Sequence, residues 1–485
     1  MMNINSEDTI AAIATAIGES GIGIVRISGK KALSIADRIF VSRDNKKPSC
    51  FRTYTTHYGW IIDSHKSGVI SEKSGVLSHK QEDRASDFEQ GVIDEVILTV
   101  MRKPRSYTRE DVVEINSHGG IIPLRKILEL VLDSGARLSK PGEFTQRAFL
   151  NGRIDLTQAE AVLDIIRAKT DSALRVSIGQ LKGALSKKIN RLRKKLLVPL
   201  AILEADIDFP DEDLGAVDSG AIADGLEGAS RELELLLDSS KKGRVLREGI
   251  KAVICGKPNA GKSSLLNALL RCERSIVTPI AGTTRDTIED ILDIKGIPVR
   301  IVDTAGIIEP RDLIEKKAVS RSQLYIKEAD LILLVFDGSK GISREDEVLM
   351  RKVKLKPVLA LINKIDLKQK IEYEKIARRF KQVVEISAKK QKNIGRLEEA
   401  IAQSVFNGKI KSGEQVWVSN LRHIQQLKRA QKSIARARRS VKKNLSFELI
   451  AQDLKEAFGF LDEIEGKQLT DNLLDRIFSD FCIGK

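Results

Sequence analysis

A glycine-rich loop in the middle of the chain constrains the fold more than any other feature. Residues 256–263 read Gly-Lys-Pro-Asn-Ala-Gly-Lys-Ser, which matches the pattern G-x-x-x-x-G-K-[ST]. The loop lies between a strand-like run, Ile250 to Cys255, and a helix-like run, Ser264 to Leu270. Backbone N–H groups and a helix N-terminus in this arrangement attract a polyphosphate, because both carry partial positive charge. The pattern therefore predicts an α/β P-loop domain.

Within this loop, each side chain has an expected role. Lys262 reaches the β- and γ-phosphates, and the Ser263 hydroxyl holds Mg²⁺. The residues that we expect to contact the nucleotide here are Asn259, Ala260, Gly261, Lys262, Ser263 and Ser264.

A second motif indicates which base is bound. Asn363-Lys364-Ile365-Asp366 follows an apolar strand candidate, Val358 to Ile362. A carboxylate at Asp366 accepts hydrogen bonds from N1 and N2 of guanine, and adenine has no such pair of donors. Ser387-Ala388-Lys389, after the strand candidate Val383 to Ile386, fits the loop on the other side of the base. Asn363, Lys364, Asp366, Ser387, Ala388 and Lys389 thus predict GTP as the ligand.

Two further segments fit the switch loops of a GTPase. Asp303-Thr304-Ala305-Gly306 follows the strand candidate Val299 to Val302. Asp303 would reach Mg²⁺ through water, and the Gly306 N–H would sense the γ-phosphate. Thr284 is expected to join the Mg²⁺ shell while the γ-phosphate is present. Its segment comprises Thr278, Pro279, Ile280, Ala281, Gly282, Thr283 and Thr284.

The residue after Gly306 is Ile307, where many GTPases carry a glutamine that orients the attacking water. Isoleucine cannot orient water, so another group must. Glu309, Asp312 and Glu315 follow in the sequence, and the residues alone do not choose among them.

Motifs outside the GTPase boxes carry a family resemblance. The chain resembles the bacterial MnmE (TrmE) family of tRNA modification GTPases, within the TrmE-Era-EngA-like group, over nearly its full length. It departs from the family pattern at Ala16-Ile17-Gly18, at Ser117 and in a polar insertion over residues 63–92. The motifs that carry the resemblance are Asp8 to Thr15, Gly21 to Gly29, Tyr107 to Glu114, His118 to Gly120, Pro141 to Arg153 and Phe481 to Lys485.

The resemblance implies a tRNA modification activity. Members of the family act with a flavin-dependent partner protein, as a heterotetramer, and install an aminomethyl or carboxymethylaminomethyl group at carbon 5 of the wobble uridine. A reduced folate, 5-formyltetrahydrofolate or methylene-tetrahydrofolate, binds the N-terminal domain. Its contacts fall on Arg26, Glu114, Arg153 and Lys485 of this chain. Cys482, in the terminal motif, is either a catalytic nucleophile or a plain buried thiol.

The resemblance also implies two metal ions and a homodimer. Glu315 orients the hydrolytic water, and the GTPase domains of two copies pair across their switch loops. A K⁺ ion neutralises charge on the phosphates during transfer, in place of an arginine finger. The K⁺ contacts fall on Asn259, Thr278, Ile280 and Thr283, and the Mg²⁺ contacts fall on Ser263 and Thr284.

Composition limits the class of protein. The chain has 485 residues, is 42% hydrophobic and carries a net charge of +15. The length suggests about three domains, and the charge favours a polyanionic partner such as tRNA, although solubility alone explains it as well. The four cysteines are scattered, which favours a reducing cytoplasm and disfavours a structural metal. We find no apolar run near the ~20 residues that a membrane helix needs.

Hydrophobic periodicity divides the chain into four segments. Residues 1–152 read as an α+β domain, to which the resemblance assigns folate binding and dimerisation, and residues 249–407 read as the P-loop GTPase domain. Residues 153–248 and 408–485 read as two halves of one all-α helical domain, so the GTPase domain is inserted between them. In the first half, Ala159, Val162, Leu163 and Ile166 lie at three- and four-residue spacing and predict one apolar face.

Two basic clusters on helical segments are candidates for tRNA contacts. Nine Lys/Arg and no Asp/Glu occur from Arg422 to Lys443, and six Lys/Arg occur from Lys187 to Lys195. Both are equally consistent with solvated helix faces. We therefore predict a GTP-hydrolysing tRNA modification enzyme. The alternatives are an RNA-binding GTPase switch in ribosome assembly and a nucleotide-dependent scaffold, which would need neither the N-terminal motifs nor the Cys-Ile-Gly-Lys end.

Overall fold

The computed structural model describes residues 8–63, 91–208, 219–272, 291–303, 325–406, 416–468 and 471–485. Its contacts divide the chain into two compact units. The N-terminal unit comprises Met1–Glu160 with Glu465–Lys485, and the GTPase–helical unit comprises Ala161–Ile464. The last 21 residues, which the sequence assigned to the helical domain, thus pack with the N-terminal sheet.

Helices in the described residues are α1 (Ala32–Ile39), α2 (Ile121–Asp133), α3 (Glu143–Leu150), α4 (Leu156–Arg167), α5 (Asp171–Leu181), α6 (Ala184–Asp208), α7 (Ser219–Glu248), α8 (Lys262–Cys272), α9 (Arg344–Lys352), α10 (Tyr373–Ala377), α11 (Ile394–Phe406), α12 (Leu421–Lys442), α13 (Phe447–Glu465) and α14 (Asp471–Ser479). The strands are β1 (Ile10–Ile13), β2 (Ser20–Ser28), β3 (Phe40–Ser42), β4 (Thr55–Ile62), β5 (Val92–Met101), β6 (Val112–Gly119), β7 (Arg137–Leu138), β8 (Ile250–Cys255), β9 (Ile291–Ile294), β10 (Ile297–Asp303), β11 (Leu331–Asp337), β12 (Val358–Asn363) and β13 (Val383–Glu385). None of these helices combines the length and the apolar character that a membrane crossing requires.

In the N-terminal unit, the described strands form one sheet in the order β3-β4-β5-β6-β2-β1-β7. Neighbouring strands are antiparallel except β1 and β7, which are parallel. On β5, Val96, Leu98 and Val100 are buried at alternate positions, as expected for a sheet with one face on a core. Helices α1 and α2 supply the rest of that core.

In the GTPase–helical unit, the described strands form a sheet in the order β13-β12-β11-β8-β10-β9. Strand β9 is antiparallel to β10, and the other neighbours are parallel. Both faces are covered, by α8 and α11 on one side and by α9 and α10 on the other. All residues of Leu331–Asp337 are buried, as usual for a parallel strand between two helical layers. Ligands of such sheets bind at the carboxyl ends of the strands.

Helices α6, α7, α12 and α13 share a separate apolar core. On α12, Ile424, Leu427 and Ile434 lie along one side and are buried, and Val441 on the same side is partly buried. The stripe predicted on α4 is wrong at one position, because Ile166 is 44% exposed. Instead, the buried Asp164 of the same helix forms an ion pair with Arg247 at 2.8 Å. Together, the two sheets and this helical core confirm the predicted fold class.

Candidate functional sites

The glycine-rich loop connects the end of β8 to the start of α8, as predicted, although α8 begins at Lys262 rather than Ser264. The backbone φ of Asn259 is 62° and that of Gly261 is 97°. A Cβ on Gly261 would lie 2.2 Å from Nδ2 of Asn363, so only glycine fits there. The Lys262 ammonium donates to the carbonyls of Gly256 and Lys257, both at 3.1 Å. The loop therefore curves around this charge, as a phosphate-binding loop does.

Asn363 ties the base-recognition segment to the phosphate loop. Its Nδ2 donates to the Ala260 carbonyl at 2.9 Å. Its Oδ1 accepts from the backbone N–H groups of Lys364 at 2.8 Å and of Ala388 at 3.0 Å. Asn363 is buried, so these bonds are shielded from water. One amide thus connects three of the sequence motifs.

Lys364 makes a second connection. Its ammonium donates to the Asn259 carbonyl at 2.8 Å and to Oδ2 of Asp337 at 2.7 Å. Burial acts to raise the pKa of Asp337, but hydrogen bonds from Lys364 and Ser339 outweigh it and lower that pKa. Asp337 ends β11 at the same sheet edge as the other motifs. We did not predict that Asp337 pairs with Lys364. An acid at the end of an apolar strand could have indicated such a role.

Asp366, the predicted guanine reader, is exposed and held by one neighbour. The Ser387 hydroxyl donates to Oδ1 of Asp366 at 2.6 Å, and this bond is the main cause of the lowered pKa of Asp366. Ser387 itself is fully buried. The structure therefore brings Asp366 and Ser387-Ala388-Lys389 together at the edge where the base motif was expected.

Only some of the residues predicted to bind Mg²⁺ and K⁺ lie within the described part of the chain. Asn259, Ser263 and Ser264 are exposed in the loop and in the first turn of α8, and their oxygens suit Mg²⁺ or K⁺. Asp303 ends β10 and pairs with Ile254 of β8. Outside the described residues lie Thr278, Pro279, Ile280, Ala281, Gly282, Thr283, Thr284, Thr304, Ala305, Gly306 and Glu315.

One buried ion pair in the phosphate loop was not predicted. Lys257 donates to Oδ2 of Asp346 at 2.8 Å, and both side chains are largely buried. Asp346 also accepts from the backbone and hydroxyl of Ser343 in the capping box that starts α9. The loop is therefore tied to the first turn of a helix on one face of the sheet.

A second site lies in the N-terminal unit. Arg26 of β2 and Glu114 of β6 are directly opposite in the sheet and form an ion pair at 2.7 Å. Arg26 also donates to the Gly484 carbonyl at 2.9 Å. Gly484 has φ 89°, and a Cβ there would lie 2.4 Å from the Ile13 carbonyl oxygen. Glycine is therefore required at position 484 for this segment to approach strand β1.

Phe144 is the centre of this second site. The Arg26 guanidinium lies 5.6 Å from its ring centroid, and its backbone N–H donates to the Lys485 carbonyl at 3.2 Å. Tyr107 packs in the same apolar cluster, and the Arg153 guanidinium lies 4.7 Å from the Tyr107 ring centroid. The four residues that the resemblance assigned to folate are thus gathered around two aromatic rings, for which the sequence predicted no role.

The Arg26 and Glu114 side chains are paired with each other, so a ligand that contacts one also contacts the other. Cys482 is an exposed thiol, so the expectation of a buried thiol is wrong. The Cys482 carbonyl accepts from the Gly142 N–H at 3.3 Å.

A buried charge network supports α3 beneath this site. Arg147 is 2% exposed and contacts Asp8 at 2.6 Å, Glu110 at 3.1 Å and Glu143 at 3.1 Å. Arg137 bonds to Asp8 and Glu143 as well. Burial acts to raise the pKa values of Asp8 and Glu143, but the two arginines outweigh it and lower both.

Several cations of the two predicted basic clusters have partners on neighbouring helices of the helical core. Arg422 donates to the backbone carbonyls of Glu463 and Ile464, Arg436 pairs with Asp453 and Glu456, and Arg438 pairs with Glu227. Arg191 and Lys195 pair with Glu232, and Arg193 pairs with Asp462. Exposed cations of the first cluster that have no acidic partner among the described residues are Lys428, Arg429, Lys432, Arg439, Lys442 and Lys443.

Comparisons with known proteins agree with the motifs. The family model described as MnmE helical domain matches residues 156–482, and the one described as GTP-binding protein TrmE N-terminus matches residues 9–153. A tRNA modification GTPase MnmE from Desulforamulus reducens is 46% identical over 99% of this chain and 100% of its own length. The tRNA modification GTPase MnmE from Bacillus subtilis is 44% identical over 99% of this chain and 100% of its own length. Among solved structures, an Era variant from Aquifex aeolicus bound to GDP and AlF4⁻ is 32% identical over 38% of this chain and 66% of its own, with a TM-score of 0.27.

Proposed function

The chain belongs to the MnmE family of tRNA modification GTPases, and from that premise we propose that it uses GTP hydrolysis to modify the wobble uridine of certain tRNAs. The observation that carries the proposal is the double connection of the phosphate loop to the base loop. Asn363 bonds to the Ala260 carbonyl and Lys364 bonds to the Asn259 carbonyl. These bonds support GTP as the ligand, because they tie the proposed phosphate loop to the proposed guanine-binding segment.

The proposed roles in hydrolysis combine the sequence motifs with the family resemblance. Lys262 contacts the β- and γ-phosphates, and Asp366 accepts from the guanine edge. Ser263 with Thr284 holds Mg²⁺, while Asn259 with Thr278, Ile280 and Thr283 holds K⁺. Both ions would supply positive charge against the phosphates. The family resemblance assigns the orientation of the water to Glu315, since the side chain of Ile307 has no polar group. The exposed oxygens of Asn259 and Ser263 support the part of this proposal that the described residues carry.

In the N-terminal unit we propose a reduced folate, 5-formyltetrahydrofolate or methylene-tetrahydrofolate, at the Arg26–Glu114 pair. A carboxylate beside a guanidinium offers both an acceptor and donors to a pterin edge. The Phe144 and Tyr107 rings offer apolar surface to the flat pterin. Arg153 and Lys485 supply positive charge for the glutamate tail, and Cys482 lies three residues from Lys485. A folate here would supply the one-carbon unit for the uridine.

The proposed assembly contains two copies of this chain and a flavin-dependent partner protein in the cytoplasm, with tRNA as the substrate. The product is a uridine with an aminomethyl or carboxymethylaminomethyl group at carbon 5. The match of an N-terminal family model over residues 9–153 favours this function over a GTPase switch in ribosome assembly, which would not need that domain.

Nucleoside mass spectrometry tests the proposal. A bacterial strain that lacks its own family member is complemented with this chain, and wobble uridines of purified tRNA are measured. We expect the modified nucleosides to return with the native chain and to stay absent with Lys262→Ala, which removes the phosphate contact. Unmodified uridine with both chains, at equal protein levels, would refute the proposal.

A further inference from the structure

A cleft of about 980 Å³ lies at the end of the GTPase sheet opposite the nucleotide motifs. Its lining includes Leu331 and Val358, the first residues of β11 and β12, and Gln382, which precedes β13. The guanine motif begins at Asn363, at the other end of β12. A strand of this length spans roughly 17–20 Å. The cleft, which we call the basic cleft, is therefore separate from the GTP site.

The charge of the basic cleft has one sign. Its lining residues include no aspartate or glutamate, and its polar neighbours Gln382, Gln403 and Ser404 are neutral. A concave surface with charges of one sign concentrates the electrostatic potential and attracts ligands of the opposite sign. The cations that line it are Lys354, Lys356, Lys375, Arg378, Arg379 and Lys381.

Half of these cations already form hydrogen bonds or ion pairs with other residues of the protein. Lys356 donates to the carbonyls of Lys327 and Ala329, Lys375 pairs with Glu372, and Arg378 contacts Glu374 at 3.6 Å. Lys354, Arg379 and Lys381 are exposed. Among the described residues, no acidic side chain pairs with these three cations. They are available to a ligand.

The two segments that supply these cations are free of acids in the sequence. Residues 351–356 read Arg-Lys-Val-Lys-Leu-Lys, and residues 375–384 read Lys-Ile-Ala-Arg-Arg-Phe-Lys-Gln-Val-Val. The fold brings both to the same end of the sheet. A surface that is only solvated commonly carries interspersed charges of both signs. In this cleft, by contrast, two separate segments both contribute positive charges. Leu355, which is 96% exposed, adds an apolar side chain to the first segment.

We propose that the basic cleft binds the phosphate backbone of RNA and gives the tRNA substrate a second contact on the GTPase region, an inference that rests on the proposed function. A row of lysines and arginines suits evenly spaced phosphates. The only aromatic residue in the lining, Phe380, is 8% exposed, so the cleft offers no platform for base stacking. The contact is therefore independent of base sequence.

A triple variant tests this contact in the full-length chain. Lys354→Gln, Arg379→Gln and Lys381→Gln together remove three charges without touching the nucleotide motifs. The matched control removes three exposed charges from the same region but outside the cleft, with Arg271→Gln, Arg344→Gln and Arg396→Gln. Affinity for tRNA is measured with GTP saturating and over a range of salt concentrations.

For the cleft variant we expect an affinity at least tenfold lower near physiological salt. The slope of log K against log salt should fall in magnitude by about two to three, because each lost phosphate contact contributes about 0.7 to 0.9. The control should stay within about twofold of the native chain. Intrinsic GTP turnover should be unchanged in both variants.

Equal affinity and equal slope in the cleft variant and the control would overturn the proposal. If the cleft variant no longer binds an acidic partner protein but binds tRNA as the native chain does, the proposal is overturned as well and the cleft is assigned to that protein. A native chain that binds no tRNA would refute the proposed function instead, so the two failures are distinguishable.

Discussion

The two candidate sites are built in different ways. The nucleotide site is assembled from short motifs, each at the carboxyl end of a neighbouring parallel strand, and is held by hydrogen bonds to backbone atoms such as the Ala260 and Asn259 carbonyls. The Arg26 site joins residues that are far apart in sequence, including an arginine and a carbonyl separated by 458 positions. A site on consecutive strand ends can be read from one sequence, whereas a site that depends on the chain terminus cannot.

The supporting charges differ as well. Beneath the Arg26 site, the buried guanidinium of Arg147 contacts three carboxylates. In the nucleotide site, each of two buried carboxylates has one cationic partner, Lys364 for Asp337 and Lys257 for Asp346. Loss of a side chain should therefore be most harmful in the N-terminal unit, and loss of backbone geometry should be most harmful at the nucleotide site.

The largest effect is expected for Arg147→Met. The substitution removes the buried partner of Asp8, Glu110 and Glu143, of which Asp8 and Glu143 keep only the partly exposed Arg137. It should lower the free energy of unfolding of the N-terminal unit by about 3–5 kcal/mol. The chain has two tryptophans, so urea unfolding can be followed by Trp60 fluorescence in a Trp417→Phe background. The control is Arg125→Met, which removes an exposed pair with Glu129 and should cost less than about 1 kcal/mol. Equal costs would contradict the buried network.

Gly261→Ala should have the next largest effect, through the backbone. A methyl group would collide with Asn363 at a position where φ is positive, so the loop must shift and its bond to Asn363 is lost. We expect GTP affinity to fall about 100-fold, since strain and a lost hydrogen bond together cost about 2–4 kcal/mol. Gly395→Ala is the matched control, because no atom lies within 4 Å of the added carbon. Titration with a fluorescent GTP analogue measures both, and unchanged affinity in Gly261→Ala would show that the loop relaxes freely.

The sequence predicted the GTPase region well for a physical reason. Hydrophobic runs such as Val358 to Ile362 mark buried strands, and the polar residues after them must lie at one edge of a parallel sheet. The structure confirms that edge for Asn363, Lys364 and Asp366. The connections between motifs were not predictable, because the bond from Lys364 to Asp337 depends on which strands are neighbours, and strand order is not encoded in any local pattern.

The N-terminal unit was less predictable from local pattern. Arg26 and Glu114 are ordinary charges in sequence, and only the register of β2 against β6 makes them a pair. Ile166, in the GTPase–helical unit, illustrates the same limit, since periodicity placed it in an apolar stripe but the tertiary packing left it exposed. The family resemblance identified the residues around Phe144, and the structure shows what joins them.

Asp366→Asn should change which nucleotide is bound. The amide replaces one acceptor with a donor, which opposes the N1 and N2 donors of guanine, so GTP affinity should fall about 30- to 100-fold. Xanthosine triphosphate, which has a carbonyl in place of the guanine amino group, should bind the variant better than it binds the native chain. Competition between the two nucleotides measures the switch. If both nucleotides lose affinity equally, Asp366 supports the loop rather than reads the base.

Arg26→Lys should weaken the N-terminal site moderately. Lysine keeps the charge but cannot reach Glu114, Gly484 and the Phe144 ring at once, because it lacks the planar fork of donors. We expect about a tenfold lower affinity for 5-formyltetrahydrofolate, the equivalent of about one charge-assisted hydrogen bond. Isothermal titration checks this, with GTP affinity in the same variant as the control. Folate affinity equal to that of the native chain would remove Arg26 from the site.

The smallest effect is expected for a change of pH, which should alter the stability of the N-terminal unit. The ordinary pKa values are 3.8 for Asp8 and 4.5 for Glu143, and folding lowers both. Folding therefore favours the charged carboxylates, and their contribution is complete above about pH 5 and is lost as the pH falls through 4.5 and below. The Trp60 unfolding midpoint should decrease between pH 5 and pH 3, and Glu143→Gln should flatten that dependence. The Trp417 midpoint, measured in a Trp60→Phe background, should keep the same pH dependence with and without Glu143→Gln. An unchanged Trp60 slope in Glu143→Gln would mean that this carboxylate does not carry the pH response of the N-terminal unit.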